Sequence, residues 1–195
     1  MNKKNKKNNN QRGFTLVETL IALSIFSTSV VAMMTLLGGG ISDINYAKSK
    51  MTGTYLAQEG IEYMRNMRDT YMIDFDPADP QKGWQEFKSR VEKCTPAGNN
   101  RERACYFRSD GLFENGSIMD MALPACGNGQ CIELKKRPGG AYGEDSSGSD
   151  SGFVRGISMI NIGTDEIKVI STVSWQQKSG PMSVTFSENL YNWIE

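Results

Sequence analysis

The apolar run Phe14–Leu37 carries a single carboxylate, Glu18, five residues in when Phe14 is counted as the first. A charge near the centre of a bilayer costs about 2.5–3.5 kcal/mol on insertion scales, so an acid in such a run points to a partner that neutralises it. The peptide Gly13-Phe14 lies where a basic leader (Lys3, Lys4, Lys6, Lys7 and Arg12) meets the apolar run. Further along, Cys94, Cys105, Cys126 and Cys131 offer oxidation or metal chemistry. Glu144, Asp145 and Asp150 offer oxygen ligands to a hard cation such as calcium.

Catalysis finds little support. The chain has no histidine, so the commonest general base and metal ligand is missing. No phosphate-cradling glycine loop or nucleophile elbow is present, and we expect no enzyme and no cofactor. Zinc held by the four cysteines fits poorly, because their spacing lacks paired short knuckles. In an exported domain they more naturally form two disulfides, and three pairings are possible. The local pairs Cys94–Cys105 and Cys126–Cys131 are favoured, each closing a short loop. The calcium alternative lacks the EF-hand order of ligands, and acidic Ser/Gly loops are commonly only solvated. Asn115-Gly116-Ser117 matches a glycosylation acceptor but reads as a turn.

The order of basic leader, Gly13, Phe14, Glu18 and a long apolar tail resembles the N-terminal signature of type IV prepilins and type II secretion pseudopilins. The resemblance implies cleavage between Gly13 and Phe14 by a membrane-embedded prepilin peptidase and N-methylation of Phe14. It also implies pairing of Glu18 with the N-terminal amine of a neighbouring subunit during filament assembly. An ammonium beside a desolvated carboxylate recovers much of the desolvation penalty, so the implied role is physically sound. Residues 56–69, from Leu56-Ala57-Gln58-Glu59-Gly60 to Asp69, are similar to a segment of PilV-type minor pilins, as are Trp175 and the closing Tyr191-Asn192-Trp193. Read from the residues alone, 56–69 is an amphipathic helix with a solvated charged face.

This resemblance implies a minor pilin that primes or modifies a cell-surface pilus. The alternatives are a pseudopilin of a secretion system and a ligand- or DNA-binding pilin. Expected partners are other pilin or pseudopilin subunits, the prepilin peptidase, the inner-membrane assembly platform and the membrane itself through residues 14–37. The precursor is expected in the inner membrane with its N-terminus in the cytoplasm, and the processed subunit in a pilus or periplasmic pseudopilus.

Charge is consistent with this. The chain has 22 basic and 22 acidic side chains, but five of the bases lie in residues 1–13, where there is no acid. Those five act as a topology signal that keeps the N-terminus inside. Without them the remainder carries a formal −5, and no nucleic acid is expected as a partner. A cleavable secretory signal has an apolar region of only about 7–15 residues, too short to match residues 14–37. A plain membrane anchor explains length and orientation but not Gly13-Phe14 or Glu18.

Four segments must position these groups: a leader (1–13), a transmembrane and assembly helix (14–37), its outer continuation (38–75) and a globular cap (76–195). Residues 14–37 would span about 36 Å as a helix, enough for a hydrocarbon core of about 30 Å. Gly38-Gly39-Gly40 is expected to interrupt it, each glycine costing about 1 kcal/mol relative to alanine. Helical periodicity resumes from Ile41 to about Tyr71, with Leu56, Gly60, Met64, Met67 and Tyr71 on one face. The prolines of Asp76-Pro77-Ala78-Asp79-Pro80 end it.

A short helix is expected near 84–93 with Trp84, Phe87 and Val91 on one side. The segment 104–134 reads as turn-rich, and Gly143–Gly152 as a mobile loop. Strands follow at Phe153–Ile162, Glu166–Gln176 and Met182–Phe186, the last two joined through Lys178-Ser179-Gly180-Pro181. In the middle strand Ile167, Val169, Val173 and Trp175 share a face. The fold class is α+β: a long N-terminal helix against a C-terminal antiparallel sheet.

Overall fold

A computed structural model describes residues 13–74, 79–95, 103–107, 122–127, 130–144 and 148–193. It divides into two compact units at Ala47/Lys48, and helix α1 (Leu16–Asp74) contributes to both. In the first unit α1 buries none of its side chains, and its apolar residues from Leu16 to Ile44 are exposed apart from the partly covered Val30. The expected interruption at Gly38-Gly39-Gly40 does not occur, because all three residues are helical. Helix propagation adds one hydrogen bond per residue, whereas restarting a helix requires a new nucleus, so flanking turns carry the glycines through.

In the second unit the remainder of α1 lies on an antiparallel sheet of order β2-β1-β3-β4-β5. The strands are β1 (Glu133–Lys136), β2 (Tyr142–Gly143), β3 (Ser149–Asn161), β4 (Glu166–Gln177) and β5 (Gly180–Tyr191). Period-two burial in β4 places Ile167, Val169, Val173 and Trp175 on the core face, with Ser171 buried in the same row. Lys178 and Ser179 form the turn into β5, while Gly180 and Pro181 already pair with Gln177 and Gln176.

α1 meets this sheet through small residues. A Cβ on Gly60 would lie 2.5 Å from Ser171 Oγ and 2.8 Å from Ile157 Cδ1; one on Gly53 would lie 2.9 Å from a Trp175 ring carbon. Only residues without a side chain allow this separation. Below them Met64, Met67 and Tyr71 join Ile157, Met159, Ile167 and Val169 in the main core.

α2 (Pro80–Val91) starts with proline at its first position, where the absent N–H has no intrahelical partner to lose. Trp84, Phe87 and Val91 are all buried against the core. The indole N–H of Trp84 donates to the Thr164 carbonyl at 2.8 Å, tying α2 to the β3–β4 turn. One 3-10 turn, Glu92–Cys94, ends in a disulfide from Cys94 to Cys105, which itself bridges to Ile157 of β3. A second disulfide joins Cys126 to Cys131.

The segment expected as a mobile loop, 143–152, is largely otherwise. Gly143 lies in β2 and residues 149–152 in β3, and Glu144 is buried. An inward-facing cation on β3, described below, draws the Glu144 carboxylate into the protein. Asn115-Gly116-Ser117 and Asp145 lie outside the described residues.

Candidate functional site

Two constellations stand out, one in each unit. At the N-terminus, Gly13, Phe14 and Thr15 precede α1 and are exposed. Thr15 caps the helix: its Oγ1 accepts the Glu18 backbone N–H at 3.3 Å, and its carbonyl accepts the N–H of Thr19 at 3.2 Å. The spacing Thr15-x-x-Glu18 is that of a capping box, a signal the sequence reading overlooked. It also sets Glu18 in the first turn, where a carboxylate is favoured by the helix dipole.

The hydroxyls of the span are satisfied within the helix. Thr19 donates to Leu16 O, Ser24 to Leu20 O and Ser27 to Leu23 O, each at 2.8 Å. Thr28 and Ser29 both donate to Ile25 O, and Thr35 to Val31 O. The Glu18 carboxylate has no hydrogen-bond or ion-pair partner among the described residues. The helix is long and apolar enough to cross a membrane, and that window is wholly unburied. An apolar span whose hydroxyls are internally bonded, with one open carboxylate near its head, can pair with a cation from another chain.

In the cap, Arg155 of β3 is buried with its guanidinium between two acids. Nη1 donates to Glu59 of α1 at 2.7 Å and to the Leu56 carbonyl at 3.1 Å; Nη2 donates to Glu144 at 2.6 Å. Tyr63 and Phe107 lie over the cation at 5.8 and 5.2 Å. Burial works against the Arg155 charge, but Glu144 and Glu59 hold its pKa above the usual value. Burial pushes the Glu144 carboxyl up, and Arg155 pulls it partly back. Tyr63 is raised too, by burial and then by Glu59. The set clamps α1, β3 and the end of β2 together, and its geometry is structural rather than catalytic.

The clamp separates the acids considered for calcium. Glu144 is bound to Arg155, while Asp150 pairs with Lys135, exposed on the far side of the β1–β3 ladder. Among the described residues no cluster of three or more acid, cysteine or histidine side chains could hold a metal. The four cysteines are paired as Cys94–Cys105 and Cys126–Cys131, so none is free.

Residues 8–34 match the prokaryotic N-terminal methylation motif. No curated protein and no solved structure matches the chain. The matched segment contains Gly13, Phe14, Thr15 and Glu18, the residues of the first constellation.

Proposed function

We propose that this chain, of the type IV pilin and pseudopilin type by its methylation motif, is a minor pilin that primes or modifies a cell-surface filament. The peptidase cuts between Gly13 and Phe14, Phe14 is N-methylated, and the Glu18 carboxylate receives the Phe14 amine of an adjacent subunit. The observation that carries this reading is the Glu18 carboxylate, without a partner among the described residues, in a span whose hydroxyls are bonded to their own helix. In lipid that carboxylate is costly, and a neighbour's ammonium relieves the cost, so subunit addition is favoured over remaining dispersed in the membrane. The cap, with its own core and two disulfides, is the part left outside the bilayer.

The test is Glu18→Ala in the native host. The variant is expected to insert and be cleaved normally but to be depleted from sheared filaments by at least tenfold, since a lost ion pair of about 1.4 kcal/mol already gives that ratio. Incorporation at the wild-type level overturns the assembly role. Counting this subunit against the main filament protein tests the minor role, and equal abundance overturns it.

A further inference from the structure

The two edges of the sheet are built differently. The β1/β2 edge is short, has a register shift between Glu133 and Lys135, and carries Lys135 and Lys136. These are the devices by which proteins prevent unwanted strand pairing. β5 has neither the short length nor the shift nor the lysines: apart from Pro181 at its start and Glu188 on its inner face, it pairs with β4 in unbroken register through Tyr191 and contains no lysine or arginine.

The direction of its free backbone groups follows from Pro181. Proline has no N–H to give β4, so Gln176–Pro181 is a non-hydrogen-bonded pair, and antiparallel pairs alternate. Ser183, Thr185, Ser187 and Asn189 share that phase and direct their N–H and C=O away from the sheet. Two contacts agree with this phase. Thr172 and Thr185 hydroxyls meet at 3.1 Å, as side chains of a close non-bonded pair do, and the Tyr191 carbonyl accepts from Arg68 of α1 at 2.9 Å. From Ser183 to Asn189 no outward backbone group has a partner among the described residues.

Beside this edge runs a groove of about 500 Å³ between β5 and α1. Tyr55, Ile61 and Phe186 give it an apolar lining. Three carboxylates, Glu59, Glu62 and Glu188, face it with Arg65, which bonds both Glu62 and Glu188. Arg155 holds Glu59 from behind but holds Glu144 as well, so these four acids and two arginines keep two excess negative charges.

We propose that the free edge of β5 and this groove form a strand-addition site for an extended segment of a partner polypeptide. An extended main chain is the ligand that satisfies a row of alternating N–H and C=O groups, and pockets beside the row select alternate side chains. The segment carries apolar residues at alternate positions, directed into the groove, and a lysine or arginine that meets Glu62. A second copy of this chain fits less well. Two β5 edges pairing antiparallel would each bring an acidic groove and no free basic residue of β5 to answer it.

The test selects displayed random ten-residue peptides on the full chain in detergent micelles. Binders are then measured by fluorescence anisotropy. Expected binders alternate apolar residues and contain a base, and they slow hydrogen exchange at Ser183, Thr185, Ser187 and Asn189. Ser187→Pro removes one outward N–H in the phase Pro181 already occupies, so β4 pairing persists while binding weakens about tenfold. Glu62→Lys weakens binding of the basic peptides without touching β5, which keeps the test decisive should the proline variant fold poorly. The proposal is overturned if no peptide is selected above background, or if binders hold both variants as tightly as wild type. It is equally overturned if the chain alone forms a dimer that protects those four amides.

Discussion

Replacing Arg155 with methionine tests the clamp most directly. The substitution removes the donors to Glu59, Glu144 and Leu56 O and the guanidinium that lies over Tyr63 and Phe107, leaving an unbranched apolar side chain in its place. The two acids then differ. The Glu59 side chain is 41% exposed and rehydrates, whereas that of Glu144 is 2% exposed and is left as a buried charge. Stranding one member of a buried pair costs about 3–5 kcal/mol. At about 2–4 °C per kcal/mol for a unit of this size, the melting temperature falls by about 6–20 °C.

The loss depends on pH with a definite sign. Burial already holds the Glu144 carboxyl above its ordinary value, and Arg155 is the group that pulls it down. Without Arg155 its folded-state pKa rises further above the unfolded value. Between those two values the folded state binds the extra proton, so stability falls as pH rises and returns on acidification, by about 1.4 kcal/mol per unit of added shift. Denaturation followed by circular dichroism at about pH 7 and about pH 5 reads this out: Arg155→Met recovers part of its loss at the lower pH. Glu144→Gln, which removes the charge and keeps an acceptor for Arg155, costs less than Arg155→Met at neutral pH. Equal losses for Arg155→Met at both pH values, or a loss under about 1 kcal/mol, refute the reasoning.

Three further changes probe the same unit. Gly60→Ala gains about 1 kcal/mol of helix propensity but forces a Cβ to 2.5 Å from Ser171 Oγ, so a net loss of about 1–2 kcal/mol is expected in urea denaturation. Trp84→Phe removes the N–H that Thr164 O accepts, and about 1–2 kcal/mol should be lost although Lys88 Nζ still reaches that carbonyl at 3.0 Å. Cys94→Ser with Cys105→Ser opens a loop of sequence separation 11 and should cost about 2–4 kcal/mol under non-reducing conditions, while non-reducing peptide mapping retains the Cys126–Cys131 link.

The regular parts of the fold were legible because each is dictated locally. Period two in Ile167, Val169, Val173 and Trp175 gave β4 its face, and Trp84, Phe87 and Val91 gave α2 its stripe. Ser171 sits in the same β4 row yet faces the backbone of Gly60, so its burial depends on a helix 111 positions away in sequence. The clamp was missed for a similar reason. The phase of Phe153, Ile157 and Met159 already put Arg155 on the inner face, but the carboxylates that make this tolerable come from α1 and from beyond β2. Once those partners exist, Glu144 cannot be the solvated loop acid its Ser/Gly neighbours suggest. At the N-terminus the missed feature was local: Thr15 stood three residues before Glu18 throughout, in the pattern of a cap.

The two units divide the physics of this chain in a way that mutagenesis can use. The cap closes its own core around Met64, Met67, Ile157 and Ile167 and pins α1 to the sheet with glycines and a buried guanidinium. Its defects therefore appear as lost stability. Among its described residues the first unit encloses no core: nearly all its apolar side chains are exposed, and the hydroxyls of its apolar span face their own backbone. Such a helix is stable only with lipid or other helices around it, so Glu18, the carboxylate inside the apolar span, matters through what it meets rather than through folding. A change at Thr15 or Glu18 that altered cap denaturation, or a change at Arg155 that blocked the proposed cleavage at Gly13-Phe14, would mean that this division of labour is wrong.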